Sequence, residues 1–515
     1  MTELGGKTMS KKKTSDKLTL TALILMIFTS VFGFGNMPRS FYLMGYAAIP
    51  WYIVSALVFF IPFAFMIAEY GAAFKDEAGG MYSWMERSKG SRFAFICTFM
   101  WYASYIVWMA GCSGLWVTLS HAVFGEDRTP GLTFIGGDSV KTMGVLGILW
   151  IVFVTYVGSR GVKNIAKVTS IGGTACALMN IVLLVGGIAV ALKNGGLAEP
   201  MHNLHKAMTI SPHPDYKGTI GAFSFLTFAV FSFGGLEVVG GLVDQTEDAE
   251  KTFPKGIKIS AIVIAIGYVI GIFAIGMFTN WDEVLASKNV HMGNISYVTI
   301  GNLGYQFAKA FGASEAGCIA AQHLMKRILG IAIFLAATGA FFTLSYSPLK
   351  TLIQGAPKEM WPGRLGELED GMPRYAMWVQ CAVVCVILFL ISFGGAGAEK
   401  FFMVISLMMN VAMSIPYFFL AIAFKSFKEK QLNGEISSDF KVYKSQKSAT
   451  FFAYLVAFVI AFANIFAIIK PLLSGDIKDS LYMILGPVIF GIIGARFYGK
   501  FEKKHAPSKA ATAAK

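Results

Sequence analysis

The stretch Phe231-Ser232-Phe233-Gly234-Gly235-Leu236-Glu237 interrupts an apolar run that extends from about Gly218 to Val243. Two adjacent glycines weaken a membrane helix where lipid offers no substitute hydrogen bonds, so an unwound turn survives only beside a protein cavity. An ionisable residue such as Glu237 costs roughly 2.5–3.5 kcal/mol near the membrane centre on insertion scales. The broken helix and the acid together predict a binding site, whereas the glycines alone are equally typical of close helix packing.

The composition is that of a membrane protein. Of the 515 residues, 55% are hydrophobic and 14% are charged, and the mean hydropathy is +0.60. Soluble domains carry about 25% charged residues. The net charge of +14 comes from short loops between apolar runs, which is typical of the positive-inside rule and not of nucleic-acid binding. The polar start, 1–17, leads into about 25 apolar residues, too long for the core of a cleavable signal peptide.

No residue pattern indicates catalysis, a cofactor or a metal. The sequence offers no Ser/His/Asp set and no phosphate-binding loop, so an enzyme or an ATP-driven pump is not expected. Cys381 and Cys385 share one helix face, but two thiols without histidine or carboxylate neighbours make a poor metal site. We therefore interpret all six cysteines as packing residues: Cys97, Cys112, Cys176, Cys318, Cys381 and Cys385.

Twelve apolar runs are long enough to cross about 30 Å of hydrocarbon. They lie at roughly 18–44, 47–74, 92–123, 142–158, 164–192, 218–243, 256–279, 325–353, 375–393, 399–424, 450–470 and 480–498. With both termini inside, the inner segments hold 31 of the 44 Lys and Arg residues, which predicts cytoplasmic termini. The long outer connection carries helix-like spacing at 295–311, which predicts a helix lying on the outer face.

The first span carries a second interruption, with Gly33 and Gly35 before Pro38. Pro38 lacks an N–H group and disfavours helix for the preceding residue. Paired Gly/Pro interruptions at matching positions of two halves are typical of transporter sites. The prediction is an all-α membrane protein of twelve transmembrane helices, with two five-helix inverted repeats and two broken helices. Its parts are a cytoplasmic tail (1–17), the first repeat (18–192), the second repeat (218–424), helices 11 and 12 (450–498) and a basic cytoplasmic tail (499–515).

Four motifs in order resemble the amino acid/polyamine/organocation (APC) transporter superfamily, whose members share the LeuT-type fold. They are Glu77-Ala78-Gly79-Gly80-Met81-Tyr82, Gly161-Val162-Lys163, Asp244-Gln245-Thr246-Glu247-Asp248-Ala249 and Pro254-Lys255-Gly256-Ile257. The likeness covers nearly the whole chain and is greatest to the glutamate:GABA antiporter branch and its YjeM-type relatives. Two departures matter. The superfamily's Gly-Ser-Gly turn is Gly33-Phe34-Gly35 here, and the lysine that some members carry in the fifth span is absent from 174–177.

The helix ends predict how a substrate binds. A half-helix N-terminus presents free N–H groups and suits a carboxylate, whereas a half-helix C-terminus presents carbonyls that suit an ammonium. We assign carboxylate contact to the backbone of Gly33, Phe34 and Gly35, and ammonium contact to carbonyls near Phe231 and Gly234. The rest of the second break, Ser232, Phe233 and Gly235, belongs to the same predicted site. The resemblance implies that Phe231 is an aromatic gate and that Tyr417 is a pocket tyrosine; simple packing is the alternative for Phe231.

Two charged residues have alternative interpretations. Glu237 either takes up and releases a proton during transport or stays ionised, paired with a hydroxyl or with Arg39, and holds the broken helix in place. Arg39 either selects acidic substrates or reaches the membrane interface as an anchor. Glu69, at the inner end of the second span near Lys75, is interpreted as an interfacial charge.

The expected function is secondary active transport of amino acids or related compounds by alternating access, with antiport of the glutamate:GABA type implied by the resemblance. A proton- or sodium-driven uptake permease and a non-transporting sensor on the same fold are the alternatives. The expected location is the plasma (inner) membrane, as a multi-pass monomer or homodimer. The expected partners are an amino acid substrate and the lipid bilayer, with protons left open and nucleic acid excluded.

Overall fold

The computed structural model describes residues 17–505, apart from the side chains of residues 396, 398, 399, 401, 402 and 410. The predicted tail 1–17 therefore lies outside the described residues except for Lys17, and the predicted tail 499–515 lies outside them from residue 506 onwards. Within residues 17–505 the chain is helical, and only three isolated β-bridges are present.

The first half of the chain contains nine α-helices. They are α1 (Leu20–Val31), α2 (Asn36–Met44), α3 (Ala48–Ser55), α4 (Ile61–Ala73), α5 (Met81–Lys89), α6 (Ser91–Ala110), α7 (Gly114–Phe124), α8 (Ser139–Gly158) and α9 (Val162–Asn194). A π-helical turn, Ala56–Phe60, joins α3 to α4. Polar side chains begin two of these helices: Thr19 accepts from the Ala22 amide before α1, and Asp138 accepts from the Val140 amide before α8.

The second half contains ten more α-helices. They are α10 (Leu204–Thr209), α11 (Thr219–Phe231), α12 (Ala249–Ile275), α13 (Ile295–Ala310), α14 (Glu315–Gly355), α15 (Arg374–Phe393), α16 (Gly395–Ala412), α17 (Ile415–Leu432), α18 (Gln446–Leu473) and α19 (Ile477–His505). A 3-10 helix, Leu236–Gln245, follows α11.

Ten helical stretches among the described residues are long and apolar enough to cross a membrane. The first of them, Leu20–Ala73, is 54 residues long and includes the interruption between α1 and α2. The consecutive helices α16 and α17 are not counted among the ten. The protein is thus an all-helical, multi-pass membrane protein.

Four interruptions divide the long helical segments, whereas the sequence analysis predicts two. The predicted ones are the first break, Phe32–Gly35, and the second break, Ser232–Gly235. The third span, predicted as continuous over 92–123, is interrupted at 111–113, where Gly111 and Gly114 flank the turn. The tenth, predicted as continuous over 399–424, is interrupted at 413–414 because Pro416, the second residue of α17, has no N–H group to continue α16.

Helix α13 forms where the spacing at 295–311 predicts a helix. It does not lie loosely on a surface, because Ile295, Thr299 and Ile300 in its first half are fully buried. It packs mainly against α14 and also against α9. We call the end of the bundle that carries α13 the α13 face.

The opposite end of the bundle is closed around the 3-10 helix Leu236–Gln245. The Leu18 amide donates to the Gln245 carbonyl at 2.8 Å, and the Leu18 carbonyl accepts from the Glu247 amide at 2.9 Å. Lys350 of α14 is buried and donates to the Gly241 carbonyl at 2.8 Å and to Asp244 at 2.5 Å. These contacts fix the chain that follows the second break against α1 and α14.

Glu69 is not an interfacial charge, which corrects the sequence interpretation. Its side chain is 0% exposed and lies 2.5 Å from the Nζ atom of Lys428, which is also 0% exposed. Its other oxygen accepts from the amides of Val442 and Tyr443, each at 2.6 Å. Lys75, the neighbour named from the sequence, pairs with Glu250 instead. The burial of Glu69 is tolerated because both oxygens have hydrogen-bond donors.

Candidate functional site

The first break presents one unused backbone amide just before α2. Gly35 precedes α2, and its amide donates to no acceptor within residues 17–505. The Phe34 amide faces the thiol of Cys176. A Cβ atom would be crowded here by side-chain ends only: one on Gly35 would lie 3.3 Å from the Ser296 hydroxyl, and one on Gly33 would lie 3.1 Å from the end of the Asn36 side chain. The first break therefore has one free donor that suits an anionic group, the Gly35 amide. The Gly33 amide, which the sequence analysis assigns to the same role, donates instead to the Val31 carbonyl at 3.0 Å and to the Tyr268 hydroxyl at 3.2 Å.

The second break is closed much more tightly. Gly235 has φ +109°, which L side chains rarely adopt, and a Cβ atom there would lie 2.4 Å from the Ser30 carbonyl oxygen of α1. The Gly235 amide donates to the Tyr417 hydroxyl at 2.8 Å. The Phe231 carbonyl accepts from the Gly234 amide at 3.0 Å, while the Gly234 carbonyl accepts no hydrogen bond from the described residues. Of these two carbonyls, that of Gly234 is thus without a partner among the described residues, and that of Phe231 has one acceptor position left for an ammonium group.

Tyr268 of α12 joins the two breaks, and the sequence analysis does not identify it. Its hydroxyl lies 3.1 Å from the carbonyl oxygens of Val31 and Ser232, and it accepts from the Gly33 amide at 3.2 Å. The Asn36 side-chain amide also donates to it at 3.2 Å. The sole sequence signal is a tyrosine within an apolar run, which is too common to single out one residue.

Cys176 of α9 lies against the first break. Its thiol donates to the Phe32 carbonyl at 3.2 Å, and the side chain is 3% exposed. The sequence analysis places this residue in the region where some superfamily members carry a lysine, and interprets it as a packing residue. The Cys176 thiol, a weak and uncharged donor, therefore contacts the unwound backbone of the first break. A lysine in this region would place a charge there instead.

Glu237 is fully buried and is held by aromatic side chains of α6. One carboxylate oxygen accepts from the Trp101 indole at 3.1 Å and from the Tyr105 hydroxyl at 3.3 Å. Among the described residues the other oxygen makes no hydrogen bond, although the Tyr417 hydroxyl lies beside the carboxylate. Arg39 makes no ion pair with Glu237 in the part of the chain that the structure describes. The hydroxyl-paired alternative from the sequence analysis thus fits the geometry better than the Arg39-paired one.

The remaining residues of the predicted site divide between a cavity and the core. Phe231, Gly234, Gly235 and Tyr417 border the larger cavity described below. Phe233 borders none of the cavities described and stacks on Phe60 with ring centroids 4.5 Å apart. Ser232 turns its hydroxyl back to the Phe228 carbonyl at 2.9 Å. Phe233 and Ser232 hold the turn in place, and their side chains do not face an open space.

A cavity of 480 Å³, here called the α13 cavity, lies beside the first break. Its lining includes the first-break residues Gly33, Phe34 and Gly35, and it reaches the exposed Gly293. Arg39 also borders it and donates from Nε to the Met292 carbonyl at 3.3 Å. Within residues 17–505 no carboxylate pairs with Arg39. A cation without a protein counter-charge thus borders the passage from the α13 face to the first break.

A second cavity, of 650 Å³ and here called the α11 cavity, lies beside the second break. Besides the break residues, Tyr105 and Trp108 of α6 border it, and it extends to Tyr216 and Lys470. Thr29 and Ala340 border both cavities. The volumes fall within the range of about 300–1,000 Å³ that is usual for small-molecule sites.

The described residues contain no group of three or more His, Cys, Asp or Glu side chains that could hold a metal ion. The polar groups at the two breaks are backbone amides and carbonyls, hydroxyls, one thiol and one carboxylate. Such a set suits reversible binding of a zwitterion, in which a carboxylate and an ammonium are bound without covalent chemistry.

Comparison with known proteins identifies relatives over nearly the whole chain. The model of a family described as amino acid permease matches residues 18–493. The inner membrane transporter YjeM of Salmonella typhimurium is 46% identical over 494 residues, which cover 95% of this chain and 97% of YjeM.

Two more distant relatives have names that state a substrate. The aspartate/glutamate permease AcaP of Lactococcus lactis subsp. cremoris is 23% identical over 296 residues, covering 56% of this chain and 57% of AcaP. The probable agmatine/putrescine antiporter AguD of Lactococcus lactis subsp. lactis is 24% identical over 240 residues, covering 47% of each chain.

Proposed function

The chain belongs to the amino acid permease family, so it is a membrane transporter and not an enzyme, and we propose that it exchanges amino acids or amino-acid-derived amines by alternating access. The observation that carries this proposal is the pair of broken helices whose ends meet at Tyr268. The Gly35 amide and the Gly234 carbonyl, which have no partners among the described residues, are groups of opposite polarity. They match the carboxylate and the ammonium of an amino acid.

The proposed architecture has twelve spans. The ten candidate spans become eleven when Leu20–Ala73 is divided into two spans. They become twelve when α16 and α17 are counted together as one further span. Spans one to five and six to ten then form LeuT-type inverted repeats over 18–192 and 218–424, and spans eleven and twelve lie within 450–498. Because each repeat has an odd number of spans, the second repeat is inverted in the membrane relative to the first. The first spans of the two repeats therefore place their breaks at related depths.

We infer an outward-facing state, in which both termini are cytoplasmic and the α13 face is outside. The α13 cavity connects the first break to exposed Gly293. On the opposite side, Leu18 is hydrogen-bonded to the chain at Gln245 and Glu247, and Lys350 pairs with Asp244. Alternating access requires that these contacts at the closed end break while the α13 cavity closes.

The proposed coupling residue is Glu237. A fully buried carboxylate with one oxygen lacking a partner is stabilised by taking up a proton. Tyr105 and Tyr417, which lie beside the carboxylate, also border the α11 cavity. A proton can therefore pass between the cavity and Glu237 through hydroxyl groups. This geometry also favours the second candidate function, proton-coupled uptake without exchange.

The proposed substrate class includes acidic amino acids. Arg39 borders the α13 cavity without a protein carboxylate beside it, and one relative is named an aspartate/glutamate permease. Antiport of the glutamate:GABA type combines such an anionic substrate with a zwitterion. AguD is named for two amines, agmatine and putrescine, so these compounds are included as candidate substrates in the transport assay.

Transport by the purified protein in liposomes tests the proposal. The liposomes are loaded with glutamate, aspartate, GABA, agmatine, putrescine or buffer alone, and uptake of each labelled compound is measured with and without an imposed pH gradient. Exchange predicts uptake only with a transported compound inside. Uptake into buffer-loaded liposomes that follows the pH gradient would favour the proton-coupled permease. Specific binding without uptake of any compound would favour the non-transporting sensor.

A further inference from the structure

The hydroxyl of Tyr268 uses its complete hydrogen-bonding capacity at the two breaks. A tyrosine hydroxyl has one donor hydrogen and two acceptor positions. The two acceptor positions are filled by the Gly33 amide and the Asn36 side chain, both on the first broken helix. The donor hydrogen has two candidate acceptors at the same distance, 3.1 Å: Val31 in the first broken helix and Ser232 in the second.

The position of Tyr268 is fixed by its ring as well as by its hydroxyl. The ring contacts Phe32, Tyr52 and Phe233 at centroid distances of 4.9, 5.0 and 5.2 Å. The side chain is 0% exposed and borders none of the cavities described. Tyr268 therefore does not touch a substrate in either cavity, and any role in transport acts through the backbone of the two breaks.

We propose that Tyr268 is a positioning residue that holds the carbonyl ends of the two broken helices together, so that the two breaks change conformation as one unit. The inference rests on the proposed function, because it assigns Tyr268 a part in alternating access. The Tyr268 hydroxyl lies 3.1 Å from both carbonyl oxygens. The Val31 oxygen also accepts from the Gly33 amide at 3.0 Å, whereas the Ser232 oxygen has no other donor among the described residues. Without this hydrogen, the carbonyl oxygens of Val31 and Ser232 lose the donor between them, and each break can move separately.

Hydrogen exchange of the full chain in detergent tests the linkage without any substrate. Tyr268→Phe removes the hydroxyl and keeps the ring contacts, so exchange should accelerate on the order of tenfold in peptides covering 32–36 and 231–236 together. Peptides within α18 should be unchanged. Acceleration in one break alone, or in neither, would overturn the proposal, because ring packing is preserved in this variant.

Tyr70→Phe is the matched control. Tyr70 is fully buried, and its hydroxyl donates to the Leu420 carbonyl at 3.3 Å, away from both breaks. This variant should leave both break peptides unchanged. If it accelerates them as much as Tyr268→Phe does, the effect belongs to any buried hydroxyl and the linkage is wrong.

Asn36→Ala decides the question if Tyr268→Phe does not give monodisperse protein. Among the described residues, the side chain of Asn36 is linked to the second break through the Tyr268 hydroxyl. Faster exchange in the peptide covering 231–236 would therefore support the linkage, and no change there would overturn it. Because these measurements need no transport, they remain decisive if the liposome assay finds no substrate. For any compound that is transported, Tyr268→Phe should reduce the exchange rate more than the apparent affinity.

Discussion

The two broken helices differ in how tightly their backbones are packed and in the charge that lies beside them. The first break has the unused amide of Gly35, lies beside Arg39 and opens into the α13 cavity. The second break has its Gly235 amide occupied by Tyr417 and a buried carboxylate, Glu237, in the 3-10 helix that follows it. Both breaks border a cavity, but the first has a free amide near a cation, whereas the second is packed tightly against α1 and lies near an acid.

This difference indicates a division of roles between the breaks. An open amide beside a cation is suited to bind the charged end of a substrate that changes from cycle to cycle. A sealed carboxylate is suited to sense a proton, which needs little space. The predictions below test that division, from the largest expected effect to the smallest.

Replacement of Gly235 by Ala should abolish transport. The backbone conformation at φ +109° and the contact of 2.4 Å with the Ser30 carbonyl leave no place for a methyl group. The local strain is on the order of 1–3 kcal/mol, before any displacement of α1 is counted. Liposome exchange should fall by about a hundredfold or more, since 1.4 kcal/mol corresponds to a factor of ten.

Gly33→Ala is the matched substitution in the first break. Its Cβ atom would meet only the movable end of Asn36, at 3.1 Å. We expect at least about a third of the wild-type exchange rate to remain, because this side chain can shift. Equal loss in the two variants would mean that the breaks are equally crowded and would contradict the comparison.

The breaks themselves were predictable from the sequence because Gly and Pro act on their own backbone. Gly33, Gly35 and Pro38, and then Gly234 and Gly235, mark them without reference to any other residue. Tyr268 was not predictable, because its contact with Gly33 joins residues 235 positions apart.

The aromatic partners of Glu237 were also missed. Trp101 donates to a carboxylate 136 positions away, and nothing around residue 101 distinguishes that tryptophan from others in apolar runs. The acid could be located by its charge alone, but the neighbours that complete its site follow from helix packing. The sequence analysis also does not predict the interruption at 413–414, which precedes Tyr417, because a proline within an apolar run is compatible with a continuous membrane helix.

Glu237→Gln should leave substrate binding intact while transport loses its pH dependence. The amide keeps the shape of the side chain and can accept from Trp101 and Tyr105, but it cannot exchange a proton in the working pH range. Exchange measured from pH 5 to 8 should vary by less than about twofold, compared with about tenfold for the wild type. An unchanged pH profile would assign Glu237 a structural role only.

Arg39→Gln should weaken acidic substrates more than neutral ones. Loss of a charge-assisted hydrogen bond in a partly enclosed site costs about 1.5–3 kcal/mol, which is about ten- to a hundredfold in affinity. Competition of unlabelled glutamate and GABA against a labelled substrate measures the two affinities. Arg128→Gln is the control, since Arg128 pairs with Glu126 at an exposed site. Equal weakening of both compounds would favour the anchoring role for Arg39.

Cys176→Ala should have the smallest effect. A thiol is a weak donor, so loss of its bond to the Phe32 carbonyl should lower the free energy of unfolding by about 0.5–1.5 kcal/mol and change exchange by no more than about threefold. Thermal unfolding followed by tryptophan fluorescence provides the stability measurement, with Cys385→Ala as the control. A loss of transport comparable to that of Gly235→Ala would show that the first break is as sensitive as the second.

The buried pair of Glu69 and Lys428 also imposes an order on how the protein is made. Lys428 follows Glu69 by 359 residues. At synthesis rates of about 5–20 residues per second, this separation corresponds to a wait on the order of 20–70 s. During that time α4 carries a carboxylate without its partner, and an unpaired charge is costly to bury away from water. The two amides that complete the carboxylate's hydrogen bonds, those of Val442 and Tyr443, emerge later still. The second span is thus among the first to be inserted. The end of α4 that carries Glu69 reaches its final packing only after most of the chain has left the ribosome.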